Sequence, residues 1–134
     1  MGKAPTCLIV DDMPNIRMAA KQILLSLGCE SVLEASTGED ALKLLSDHAV
    51  DLVLLDWMLP HMSGIACLQA IRSDPKTSHI RCVMVTADRE EDHVREAIAA
   101  GAAGYVVKPF SPRTLQAHFD LALSDRDEAT QKLA

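Results

Sequence analysis

Aromatic residues make up only 3% of this chain of 134 residues, which leaves few flat surfaces for stacking the bases of single-stranded nucleic acid. Basic residues are in the minority, with 13 Lys and Arg against 19 Asp and Glu. The resulting net charge of −6 gives no electrostatic footprint for nucleic acid or for an anionic membrane. No apolar run approaches the length of a membrane-spanning helix, and the first residues, Met-Gly-Lys-Ala-Pro-Thr, lack the apolar stretch of a secretory signal. A cytoplasmic protein without membrane insertion is therefore expected. The four cysteines (Cys7, Cys29, Cys67, Cys82) include no C-x-x-C pair, and three lie in or beside apolar runs. Buried thiols are the expected state, with a zinc site or a disulfide framework as the alternative. The five histidines are scattered without metal-ligand spacing.

What is present is ordinary globular composition, 49% hydrophobic and 24% charged, so a disordered chain is excluded. The length suits one domain with a single core. Short apolar runs alternate with helical patterns five times, at Cys7–Val10, Ser31–Ala35, Leu52–Leu55, Cys82–Val85 and Tyr105–Val107. Four are continuously apolar, as in parallel strands covered on both faces. The second, Ser-Val-Leu-Glu-Ala, is more polar and reads as an edge strand.

Between the runs lie amphipathic helices. The first starts near Pro14, carries apolar Ile16, Ala19, Ala20, Ile23, Leu24 and Leu27, and stops at Gly28. The second starts at the N-cap Thr37 and buries Ala41, Leu44 and Leu45; the third places Ile65, Leu68 and Ile71 on one face and ends before Asp74-Pro75. The fourth opens with the acids of Asp88-Arg-Glu-Glu-Asp and ends near Gly101. The last starts at Ser111-Pro112 and buries Leu115, Phe119 and Ala122. The pattern is (βα)5, a doubly wound α/β fold whose right-handed crossovers put helices on both faces of a five-stranded parallel sheet. The domain is drawn at 1–124. The polar stretch 125–134 reads as a tail, either a frayed helix end or the start of a linker.

Open α/β sheets bind ligands at the carboxyl edge of the strands. Run one ends in Asp11-Asp12, run three in Asp56, run four in Thr86 and run five in Lys108-Pro109. Each alone has a bland explanation, a helix cap or a structural ion pair, but strand formation does not require all five on one edge. Three clustered carboxylates repel one another unless something neutralises them. A hard divalent cation such as Mg2+ would do so through one or two carboxylates, waters and a phosphate. With Lys108 beside it, such a site can hold phosphoryl oxygens while Asp56 attacks phosphorus.

In this order the segments Leu8-Ile-Val-Asp-Asp, Leu54-Leu-Asp-Trp-Met-Leu-Pro, Met84-Val-Thr-Ala and Gly101-Ala-Ala-Gly-Tyr-Val-Val-Lys-Pro-Phe resemble the receiver domain of bacterial two-component response regulators, over roughly Thr6–Leu123. The likeness is greatest to the single-domain, CheY-like chemotaxis regulators, and it implies a flavodoxin/CheY-like strand order 2-1-3-4-5. It implies Asp56 as phosphoacceptor from a sensor histidine kinase or phosphotransfer protein. Asp11, Asp12, Asp56 and the backbone carbonyl of Met58 are the implied Mg2+ site, and Lys108 the implied phosphate contact, with a cis bond to Pro109. Thr86 and Tyr105 are the implied switch pair, reshaping a face made by helix 4, strand 5 and helix 5 to control a downstream protein. Such a chain accepts phosphate without being a turnover enzyme and is a monomer or a weak phosphorylation-dependent dimer. It is read as a stand-alone regulator. The alternatives are the receiver fragment of a longer regulator, or a degenerate receiver that binds partners without phosphorylation. Regulators with winged-helix DNA-binding domains usually carry an acidic pair where this chain has Ala103-Gly104. Met58 and Asp88 are expected to flank the site and set the hydrolysis rate; His61 reads as a surface residue, with tuning of access to the phosphate as the alternative. An FMN site would need a Ser/Thr/Gly-rich loop after strand one, and an aspartyl-phosphate phosphatase a D-x-D-x-[TV] run; neither is present.

Overall fold

The computed structural model describes residues 4–87 and 91–133, with side-chain environments as far as residue 124. The five runs form β1 (Thr6–Val10), β2 (Ser31–Ala35), β3 (Leu52–Asp56), β4 (Arg81–Thr86) and β5 (Gly104–Val107). They pair in parallel in the order β2-β1-β3-β4-β5. The helices are α1 (Pro14–Ser26), α2 (Gly38–Asp47), α3 (Gly64–Ser73), α4 (Glu91–Ala99) and α5 (Pro112–Leu133). Residues 88–90, which include Asp88 and the expected start of the fourth helix, lie outside the described residues. The polar stretch after 124 continues the backbone of α5 to Leu133.

Strand alternation divides the core in two. Cys7, Ile9, Leu52, Leu54, Val83, Val85 and Val106 point to one face, where Ala20 and Leu24 of α1 and Leu115, Phe119 and Ala122 of α5 cover them. Leu8, Val10, Val53, Leu55, Cys82 and Met84 point to the other, against Ala41, Leu45, Cys67, Leu68, Ile71 and Ala97. Both faces are buried, which is why the runs are apolar at every position. In β2, by contrast, only Ala35 is buried and Glu34 is exposed, as an edge strand allows. Ala19, expected on the buried side of the first helix, is exposed. With Ala20 and Leu24 facing the sheet, the neighbouring position turns to solvent.

Helix starts follow local chemistry. Thr37 accepts the amide of Asp40 at 3.1 Å, Ser63 that of Ala66 at 3.2 Å, and Ser111 that of Thr114 at 3.1 Å. Arg72 at the end of α3 is a cross-link that sequence reading missed. Its guanidinium donates to the carbonyls of Gly101 (3.0 and 2.8 Å), Ser78 (3.1 Å) and Ile80 (2.6 Å). It thereby ties the loop before β4 to the loop before β5. Charged hydrogen bonds contribute more than neutral ones, so Arg72→Ala is expected to lower the unfolding free energy by roughly 2–3 kcal/mol in urea melts.

Candidate functional site

Right-handed crossovers send α1 and α5 to one face and α2, α3 and α4 to the other, so a crevice opens where β1 and β3 part at their carboxyl ends. Asp11 follows β1 and Asp56 is the last residue of β3; they are 2% and 6% exposed, while Asp12 is exposed. Carboxylate oxygens of Asp11, Asp12 and Asp56 lie within 4.8 Å of one another. Lys108, just after β5, sends its ammonium back across the sheet to Asp11 Oδ2 at 2.6 Å and Asp56 Oδ2 at 3.2 Å.

Backbone contacts position each group. The Asp11 amide donates to the Ala35 carbonyl at 3.1 Å, and Asp11 Oδ1 accepts the Met13 amide at 2.9 Å. Arg17 on α1 donates to the Asp11 carbonyl at 2.7 Å while pairing with Glu34 at 3.2 Å. The Lys108 amide donates to the Thr86 carbonyl at 2.7 Å, and the Lys108–Pro109 bond is cis. Beyond Asp56 the chain reverses tightly. The Trp57 amide donates to the Val85 carbonyl, and the Gly64 amide returns to the Trp57 carbonyl, both at 2.9 Å. His61 takes a positive φ of 68° in this turn and is exposed. Gly64 packs so closely that a Cβ there would lie 2.1 Å from the Asp56 carbonyl oxygen. The Met58 amide faces Asp56 Oδ1 at 3.4 Å, and its side chain is 74% exposed at the mouth.

Burial raises the pKa of Asp56 above the usual carboxylate value, and the charge of Asp11 adds to the rise; Lys108 and the Met58 amide oppose it. Burial works to lower the Lys108 pKa, but its bonds to Asp11 and Asp56 and their charges outweigh it, so the net shift is upward. The raised Lys108 value means that its ion pairs contribute fully below its ordinary pKa and are lost only as pH rises through the folded value. For Asp56 the sign is the same, in a lower pH window. Between its unfolded and its raised folded pKa the native state binds more protons, so stability falls as pH rises through that window. Asp56→Asn removes the buried charge while leaving Lys108 its bond to Asp11. Without divalent cation the variant is expected to be more stable than the parent at pH 7, by roughly 1–2 kcal/mol. The advantage should shrink as pH falls through the raised Asp56 value, which melts at several pH values would read.

Three oxygen donors set against one ammonium suit a hard divalent cation. Four of the sequence-selected groups thus meet: Asp11, Asp12, Asp56 and Lys108. Thr86 ends β4 beside them, 3% exposed and in register with Val107. Tyr105 stands apart. It is half-buried on β5 opposite Met84 and lines a groove of about 400 Å³ with Val94, Val107, Pro109, Phe110 and Thr114. One contact was not foreseen. Trp57, the only tryptophan, stacks on His93 of α4 with ring centroids 5.0 Å apart, joining the loop after Asp56 to that helix. The two are 36 residues apart, and no motif links them.

The response regulator receiver domain family matches residues 7–120. The chain is 41% identical over 109 residues to chemotaxis protein CheY of Pseudomonas aeruginosa, covering 81% of this chain and 88% of that one. It is 38% identical over 120 residues to CheY-3 of Vibrio cholerae, covering 90% and 92%. Among solved structures, CheY4 of Vibrio cholerae superposes with a TM-score of 0.85 at 29% identity, over 90% of this chain and 100% of that one.

Proposed function

The chain belongs to the response regulator receiver domain family, and from that membership we propose a two-component regulator of CheY type that takes a phosphoryl group on Asp56. The observation that carries this reading is the single ammonium of Lys108 held between the carboxylates of Asp11 and Asp56, with Asp12 in the same cluster. Asp11, Asp12 and Asp56, with the Met58 backbone carbonyl, are the proposed ligands of Mg2+, which when bound neutralises the acids and draws in a phosphoryl oxygen.

Asp56 supplies the nucleophile. One carboxylate oxygen bonds to phosphorus as the P–N bond of a phosphohistidine breaks, and the electron pair leaves with the imidazole. Lys108 keeps Asp11 and passes its second contact from the Asp56 carboxylate to the phosphoryl group. Its raised pKa keeps it charged throughout. The acyl phosphate brings extra negative charge and strong acceptors to the end of β3. Thr86 donates its hydroxyl to one of them, and Tyr105 turns inward in response. Two packings of that loop then present two forms of the α4-β5-α5 face, where the groove beside Tyr105 lies.

The donor is a sensor histidine kinase or phosphotransfer protein, and the target is a protein that reads that face, in a chemotaxis pathway as the relatives' names suggest. The regulator acts in the cytoplasm, as a monomer or a weak phosphorylation-dependent dimer, with 1–124 as the receiver. It accepts phosphate rather than turning over a substrate. Intact-mass spectrometry after incubation with acetyl phosphate and Mg2+ tests the reading. The expected result is a gain of one phosphoryl mass, lost in EDTA and in Asp56→Asn. No adduct on the unaltered chain under rapid quench would sink it and favour a receiver that works without phosphorylation.

A further inference from the structure

We propose that Cys7 and Cys29 are an oxidant-responsive dithiol that closes to a disulfide in the folded protein, at the edge of the sheet opposite Asp56. All four cysteines are thiols in the structure. Only one pair touches: Cys7 Sγ and Cys29 Sγ lie 3.1 Å apart, in hydrogen-bond contact. Bond formation from there requires a closure of only about 1 Å, small enough for side-chain adjustment.

Both sulfurs are held by the backbone. Cys7 is the second residue of β1 and fully buried. Cys29 follows Gly28, whose φ of +98° turns the chain out of α1. The Cys29 amide donates to the Leu24 carbonyl at 3.2 Å, and the Glu30 amide to the Pro5 carbonyl at 2.9 Å, so the turn is tied to both the helix and the start of β1. Cys29 is also the more exposed residue of the pair, at 7% against 0% for Cys7. Cys67 and Cys82 form the contrast. They are fully buried on the other face of the sheet, and burial pushes their thiols up to about 12 and about 11.

The oxidant is hydrogen peroxide. The Cys29 thiol ionises, its thiolate attacks one peroxide oxygen, the O–O bond breaks, and the departing hydroxide takes up the proton that the thiol released and leaves as water. Cys29 is then a sulfenic acid. Cys7 sulfur attacks the Cys29 sulfur, the S–O bond breaks, and the second hydroxide leaves as water with the Cys7 proton. Two thiols have lost two electrons and two protons, and one peroxide has become two waters. Burial raises the Cys29 thiol and contact with Cys7 opposes that rise, so the first step is slow, but the resolving sulfur is already in place. In a reducing cytoplasm the bond would be transient. The inference does not depend on the proposed phosphoryl chemistry, and its failure would leave that reading untouched.

The test treats the full chain with hydrogen peroxide, removes the oxidant, and alkylates in denaturant. The expected product is two hydrogens lighter, takes up two alkyl groups in place of four, and regains all four after dithiothreitol. Tryptic digestion should join Ala4–Arg17 to Gln22–Lys43. The crosslink should vanish in Cys7→Ala and in Cys29→Ala and persist in Cys82→Ala, with circular dichroism checking that each variant folds. The oxidised chain should melt roughly 5–10 °C higher, because the bridge restricts the unfolded chain. Four alkyl groups after oxidation, a bridge to Cys67 or Cys82, over-oxidised Cys29 without a bridge, or a crosslinked form that melts lower would each overturn the proposal. The peptide map of the unaltered chain decides even where a variant fails to fold.

Discussion

Lys108→Ala is expected to slow phosphoryl uptake from acetyl phosphate by about 10²–10³-fold in Mg2+, the loss typical of removing one positioned charge donor from a transfer site. The variant loses the ammonium that contacts Asp11 at 2.6 Å and Asp56 at 3.2 Å, and leaves two buried carboxylates facing each other. Without that counter-charge the Asp56 pKa, already raised by burial and by Asp11, moves further up. A larger share of Asp56 is then protonated and unable to attack. The same change should make the fold less stable in EDTA near neutral pH, with stability returning on acidification or on adding Mg2+. Rapid-quench mass spectrometry gives the rate and chemical melts the stability. Uptake within threefold of the parent would show that Lys108 has no part in the transfer.

Gly64→Ala is the largest expected loss of stability from a single methyl group. The new Cβ would sit 2.1 Å from the Asp56 carbonyl oxygen and 2.9 Å from the Asp56 carbonyl carbon and Trp57 Cα. All of these are backbone atoms of the loop that aims Asp56, and none can swing aside. Relief requires either α3 or the loop to move, for about 3 kcal/mol or more in urea melts, with phosphoryl uptake falling alongside. Gly28→Ala is the internal comparison. Its Cβ meets nothing within 4 Å, so only the strained φ of +98° counts, at about 1 kcal/mol. Equal losses at the two glycines would refute the clash at Gly64.

These contrasts show where the residues spoke and where they did not. Strand positions were legible because both faces of the sheet are covered, so four of the five strands carry an unbroken apolar run that ends where a polar side chain reaches the crevice, and β2 shows its edge place by its polar residues. Asp56 and Thr86 prove to be the last residues of β3 and β4 rather than the first beyond them, a small difference since strand pairing holds them in place. That Lys108 and the aspartates share one edge of the sheet was legible from the strand ends, whereas its 2.6 Å contact with Asp11, 97 residues away across two intervening strands, was not. Contacts set by loop shape and side-chain reach were not legible: the closeness of Gly64 to Asp56, the four bonds of Arg72, the stack of Trp57 on His93, and the touching sulfurs of Cys7 and Cys29. Each depends on distances of a few tenths of an ångström between segments with no shared periodicity. Ala19 misled for a related reason, since a small apolar residue suits either side of a helix.

The late position of Lys108 has a consequence for how the chain is made. A ribosome delivers Asp11, Asp12 and Asp56 well before the lysine that neutralises them, and β5 is the final strand of the sheet. A nascent chain that has released β1 to β4 therefore carries an acid cluster with no built-in counter-charge, and it lacks the strand that closes the edge beside β4. Until β5 and Lys108 emerge, self-repulsion works against compaction at the crevice, and ambient divalent cation is the available substitute. Vectorial synthesis thus assembles the crevice in two stages, the acid cluster first and its counter-charge only after β5 has left the tunnel, so a chain cut short before Lys108 carries the aspartates without their lysine.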